Sequence, residues 1–328
     1  EITFSNLVTM PSQTGSPLID SYVQANMYMR YTVDSLCIVL ALGALVIMAM
    51  YWNRPVMVVS QRMFMLMIIV TSLVANTIAL PEVATGDWQC EIVYIASMVA
   101  FISLVIAKEY RAYQLYKAIS SQTVRTVGYV FPCLFVVVCV AATTILFVIC
   151  RRGHTSQFGD SYLASQYSQR EVGNVPRFFF TGVLIIGLFV ARIARKVPRI
   201  CGDSKVTFAL SFIGLIYVAV AVAETYTGDL ELNVQLQIVG LFLHMLMHVG
   251  TLISLLYARL LSMNMTKAEV IRELVLHNGD VMNQDALQET TDVSTIKTQG
   301  RSDPDEWMRN YSSGFGLSSY DETAIHTV

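Results

Sequence analysis

Apolar stretches of membrane-spanning length alternate along the chain with short polar ones. A bilayer core about 30 Å thick takes ~20 mostly apolar residues as a helix. Runs of that length lie near residues 32–52, 62–80, 91–112, 127–149, 177–195, 206–225 and 234–258. The fourth, VGYVFPCLFVVVCVAATTILFVIC, is almost devoid of polar side chains. Lipid offers the backbone no hydrogen-bond partners, so each run is expected as a helix. The third is the least regular: Lys108, Glu109 and Arg111 fall in its second half, as expected of a helix projecting beyond the membrane. The pattern predicts an all-α membrane protein, a seven-transmembrane helix bundle over 32–261, preceded by a short segment, 1–31, and followed by a polar tail, 262–328.

The loops predict an orientation, because short cytoplasmic loops carry an excess of Lys and Arg. One side collects thirteen: Arg54, Arg62, Lys108, Arg111, Lys117, Arg125, Arg192, Arg195, Lys196, Arg199, Lys205, Arg259 and Lys267. The other has five, Arg30, Arg151, Arg152, Arg170 and Arg177, and two of its loops hold only acids. The first side is therefore expected in the cytoplasm, with the N-terminus outside and the tail inside. Two sequons, at Asn264 and Asn310, then lie inside and stay unglycosylated. In the tail, Thr266-Lys-Ala-Glu269 is a capping-box pattern ahead of Val270, Ile271, Leu274 and Val275, which predicts a short amphipathic helix. From about Gly279 the tail turns to Gln, Asp, Ser, Thr and Gly and reads as disordered.

Composition agrees with a membrane setting. Of 328 residues 54% are hydrophobic and 14% charged, where a soluble domain carries about a quarter charged. A net charge of -2 argues against a nucleic-acid partner, which needs clustered excess Lys and Arg. The six cysteines are widely spaced and form no CxxC, so no zinc site or dense disulfide framework is predicted. The chain starts at Glu1 without Met or a charged-then-apolar leader, as expected of a chain that has lost a signal peptide or been cut from a longer one.

Four sets of residues are candidates for chemistry. Cys90 and Cys150 lie at the outer ends of the third and fourth runs, in an oxidising compartment; they read as a bridge pinning the second outer loop, or as two unpaired thiols. Lys108 and Asp203 fall near the inner membrane face, where a cross-helix ion pair gains weight; they read as such a pair or as two solvated interfacial charges. His244 and His248 stand one helical turn apart, the spacing of a metal pair, but without a third ligand they read better as buried histidines bonded to neighbouring helices. With Glu224, an acid at the outer end of the sixth run, they are candidates for a transmembrane ligand pocket. No GxSxG, HExxH, P-loop or GxGxxG stands at a strand-to-helix junction, so neither an enzyme nor a cofactor is expected. A retinal Schiff base needs a lysine in the last run, and none occurs from Val206 through Tyr257.

Asn53-Arg54-Pro55-Val56 through Ser60-Gln61-Arg62, then Trp88-Gln89-Cys90, Lys108-Glu109-Tyr110-Arg111 and Arg195-Lys196-Val197-Pro198 with Asp203-Ser204-Lys205 together resemble class C G-protein-coupled receptors, the metabotropic glutamate and GABA-B type, over residues 32–262. The resemblance implies that Lys108 and Asp203 form an inner lock that opens on activation. It matches Cys90 to the family's third-helix cysteine, whose usual partner lies deep in the second outer loop near the fifth helix; here only Cys150, at the outer end of the fourth run, is available. There are departures. Ala258-Arg259 stands where the family has Pro-Lys, Gly202-Asp203 where it has Asn-acid, and the 31 residues before the first run are too few for the family's two-lobed ectodomain, as expected of a divergent member or of the membrane part of one.

The resulting expectation is a plasma-membrane receptor that carries the signal of an unknown extracellular ligand to a heterotrimeric G protein. Arg54, Arg62, Arg111, Lys117, Arg125, Arg195, Lys196 and Arg199 are its G-protein-facing basic residues. Such loops also suit anionic lipid heads. Two other readings stand beside it. A small-solute transporter would show an internal repeat and mid-membrane breaks, whereas Pro132 and Pro176 lie near run ends. A seven-helix subunit could instead pair with another receptor, as a homo- or heterodimer.

Overall fold

The computed structural model describes residues 17–85, 88–120, 128–157, 174–198, 201–227, 230–266 and 269–270. They are helical almost throughout, and seven helices are long and apolar enough to cross a membrane: Met27–Met50, Arg62–Leu80, Ile92–Ala118, Val130–Ile149, Arg177–Lys196, Ser204–Glu224 and Leu232–Leu261. The apolar runs read from the sequence fall on these spans. Several helices outrun their runs. The first begins at Pro17 and the third covers Trp88–Ser120, about 50 Å of helix against a 30 Å core. Bilayer thickness limits the apolar run, while the helix itself continues wherever polar residues still hold helical backbone.

The spans alternate in direction. Ser60, after the first span, Lys108 at the foot of the third, Asp203 before the sixth and Arg259 at the foot of the seventh are hydrogen-bonded together at one end. Arg30, Tyr94, Arg177, Glu224 and Gln237 gather at the other. In cross-section the spans follow one another around the bundle, the seventh returning to pack on the first, while the third also packs against the fifth and sixth. The third is accordingly the interior helix: 61% of its span is buried inside the protein, against 22% of the fourth. Outward faces are aliphatic and aromatic, with Val39, Val137 and Phe189 each more than 60% exposed.

Lipid tails are as apolar as leucine, so span association depends on close packing. Gly187 and Gly214 supply it between the fifth and sixth spans. A Cβ at Gly187 would stand 2.2 Å from Ser211 Oγ, and one at Gly214 would stand 2.6 Å from Leu184 Cδ2. Phe64 and Ile68 of the second span, Phe101 and Ile102 of the third, Leu184 of the fifth and Met247 of the seventh fill the core.

Two local irregularities bear on function. Between a short helix, Pro55–Val59, and the second span, Gln61 adopts φ 62°, a left-handed conformation that non-glycine residues adopt only under constraint. The seventh span is interrupted by a π turn at Leu246–Gly250, between helices Leu230–Met245 and Thr251–Leu261. The capping box is formed: the Thr266 N–H donates to Glu269 Oε2 at 2.7 Å and the Glu269 N–H to Thr266 Oγ1 at 3.3 Å. The helix expected beyond it, the disordered stretch and Asn310 lie outside the described residues.

Candidate functional site

Four ionisable side chains from three segments meet at the basic end of the bundle. Lys108, Glu109 and Arg259 are each 1% exposed and Asp203 8%. Lys108 Nζ donates to Asp203 Oδ2 at 2.5 Å. Arg259 grips the same carboxylate with both terminal nitrogens, Nη1 on Oδ1 and Nη2 on Oδ2, the paired geometry that makes guanidinium–carboxylate contacts strong. Its Nε donates to Ser60 Oγ at 3.1 Å, and Nη1 also to the Leu255 carbonyl at 2.9 Å. The Asp203 N–H donates to Glu109 Oε2 at 2.6 Å. The cluster thus sets two basic side chains among two acidic ones, and its ionised groups are hydrogen-bonded, as burial of charge requires.

The backbone is shaped to this cluster. The left-handed turn at Gln61 lets its Nε2 donate to the Lys108 carbonyl at 3.2 Å, tying the first connecting loop to the third span. Gly202 allows the chain to pass over Glu109: a Cβ there would meet Val197 Cγ1 at 2.8 Å and Glu109 Oε1 at 2.9 Å. Burial by itself would raise the Asp203 carboxyl. The charges of Arg259 and Lys108 and their hydrogen bonds outweigh it and hold Asp203 below the ordinary carboxylate value.

At the opposite end a cavity of about 360 Å³ opens among six spans. Its charged lining is Arg30, Asp34, Arg177 and Glu224, and His244 forms part of its floor. His244 Nε2 donates to Asn76 Oδ1 at 3.1 Å, Tyr94 OH to His244 Nδ1 at 3.3 Å, and Asp34 Oδ1 lies 3.6 Å from Nε2. Asn76 Nδ2 in turn donates to the Ser72 carbonyl at 2.7 Å. Deeper, the Ser72 hydroxyl and His248 Nδ1 share a hydrogen bond at 2.8 Å, and His248 Nε2 faces Met98 Sδ at 3.0 Å. Both histidines are thus engaged by neighbouring helices. No group of three His, Cys, Asp or Glu residues placed to hold a metal occurs among the described residues.

No family model matches the chain, and no curated protein does.

Lys108 and Asp203 are in contact, and Glu224 and His244 share the cavity, whereas His248 lies below it, fully buried. The Cys90–Cys150 bridge is not supported. Cys90 carries a free thiol, and no disulfide occurs among the described residues. The fourth helix runs on past Cys150 to Gln157, so that cysteine sits within a helix, about 10 Å short of the loop it was expected to pin; its side chain lies outside the described residues. Of the basic residues expected on the loop surface, Arg54, Lys117, Arg195 and Lys196 are exposed, and Arg62 is half-buried beside Trp52. Arg111 is turned inward: it is 7% exposed, with its guanidinium carbon 3.8 Å from the Tyr129 ring centre. Arg125 and Arg199 lie outside the described residues. Arg259 and Glu109 were not anticipated as cluster members, nor was Asp34 in the cavity.

Proposed function

We propose that this chain is a seven-helix receptor of the class C G-protein-coupled type, whose buried charge cluster holds the cytoplasmic end closed in the resting state. The observation that carries the reading is the Asp203 carboxylate shared by Lys108 and Arg259, which ties the start of the sixth span to the third and seventh. Ion pairs of this kind suit a two-state device, because separating them exposes polar surface that a partner can engage. The excess of basic residues at that end supports its placement in the cytoplasm of a plasma-membrane protein. The exposed Arg54, Lys117, Arg195 and Lys196 are then the surface offered to a heterotrimeric G protein and to anionic lipid heads. The cavity at the far end receives the ligand, with Glu224 and His244 in its wall.

Nucleotide exchange on a panel of G proteins, with the wild type and Asp203→Ala in lipid nanodiscs, tests the reading. The variant is expected to show higher ligand-independent exchange. Absence of exchange in both proteins would refute the receptor reading and favour a transporter or a partner subunit.

A further inference from the structure

We propose that the π turn Leu246–Gly250 is a register switch that links the cavity to the charge cluster: when it relaxes to α-helix, Arg259 turns away from Asp203. The proposal rests on the receptor reading and says how its two ends communicate.

A π turn accommodates one more residue than the α-helix it interrupts, and such turns recur at functional sites. Relaxing it moves everything that follows by one residue of register, about 100° of rotation and ~1.5 Å of rise. At the Cα radius of ~2.3 Å that rotation displaces a residue by about 3.5 Å, and the end of a long side chain by more. Thr251–Leu261 is unbroken helix, so the rotation reaches Arg259 undiminished. The 2.5 Å contact from Arg259 Nη2 to Asp203 does not survive it.

A chain of hydrogen bonds holds the turn and runs from the cavity. Tyr94 bonds His244, His244 bonds Asn76, Asn76 bonds the Ser72 carbonyl, and the Ser72 hydroxyl bonds His248 inside the turn. His248 is further fixed by Phe101, whose ring centre lies 4.5 Å away. A ligand that draws His244 or Tyr94 toward itself therefore pulls on the groups that keep His248 in place. The backbone has room to respond, since a Cβ built at Gly250 meets nothing within 4 Å.

The test is a double-mutant cycle on thermal unfolding in nanodiscs with Ser72→Ala, Asp203→Asn and the double variant. His248 and Arg259 are separated by roughly 16 Å of helix, and mutations at such distances without shared partners add. If the turn couples them, Ser72→Ala already withdraws Arg259 from Asp203, and the double variant loses less Tm than the sum of the single losses. Deleting Val249 removes the extra residue while leaving both flanks in register, so in that background the losses become additive. Additive losses in the full-length chain overturn the switch. A second readout does not need the deletion variant to fold: nitroxides on Tyr257→Cys and Lys117→Cys, both exposed positions, should report a second distance once Ser72→Ala is added. A single unchanged distance overturns the proposal equally. Neither measurement involves a G protein, so failure of the switch and failure of the receptor reading give different patterns.

Discussion

Replacing Arg259 with Met keeps a long side chain in the seventh span but removes the guanidinium that holds both oxygens of Asp203, Ser60 Oγ and the Leu255 carbonyl. Asp203 then keeps Lys108 as its cationic partner in the cluster. Removing one partner of a buried, hydrogen-bonded ion pair costs roughly 3–5 kcal/mol, most of it the uncompensated charge left behind. Lys108→Met also takes one cation from the cluster, but it should sit at the low end of that range, because the paired Arg259–Asp203 contact remains. Arg259→Lys should recover only part of the loss, since an ammonium cannot span two carboxylate oxygens. Thermal unfolding of the three variants in nanodiscs gives the ranking directly, and ligand-independent exchange should follow it. A loss of ~3 kcal/mol from the closed state moves the closed-to-open ratio by about 150-fold. If Lys108→Met lowers Tm as much as Arg259→Met or more, the seventh span is not the principal tie.

Gly202→Ala forces a Cβ against Val197 and Glu109 Oε1; overpacking of this kind costs about 1–3 kcal/mol, so the variant should unfold at lower temperature and leak exchange in the same assays. The carboxyl of Asp203 lies below its unfolded value. The stability it contributes is therefore complete above that unfolded value, about 3.9, and lost as pH falls through the folded one. The Tm gap between wild type and Asp203→Asn should stay constant from about pH 8 to 5 and narrow only in stronger acid. The cavity's two cations, Arg30 and Arg177, balance its two acids, Asp34 and Glu224, so a ligand of no net charge should raise Tm more than a matched amine or carboxylate, and Glu224→Gln should shift that preference toward anions.

Much of the bundle was legible because a membrane span needs a length of apolar sequence that little else in a chain supplies. The Lys108–Asp203 contact was legible for a related reason: a base on an apolar helix and an acid just before another face the same low-dielectric boundary. Arg259 was hidden by its position. It ends the seventh apolar run, where an arginine reads as an interfacial anchor, and only the packing shows its guanidinium turned inward among Ser60, Leu255 and Asp203. Glu109 and Arg111 read as part of a helix projecting into water, yet both are buried, because neighbouring elements enclose the third span at that level, while Lys117 further on is exposed. The π turn leaves no mark on hydropathy, since an extra residue in LMHVG preserves the apolar run while changing the face that follows.

A cluster of four buried ionisable side chains is a poor way to stabilise a helix bundle. Well-packed apolar side chains of the same volume often hold such a site as well or better, because charges must first be stripped of water. What apolar packing lacks is a sharp distance dependence: a shift of about 3.5 Å still leaves dispersion contacts available to a leucine, but it ends the grip of Arg259 on Asp203. Elsewhere in the spans Ala191, Ala194 and Leu255 are buried without polar atoms in their side chains. On the receptor reading the cluster is a release point rather than a fastening, placed across the third, sixth and seventh spans at the end where Arg54, Lys117, Arg195 and Lys196 are exposed.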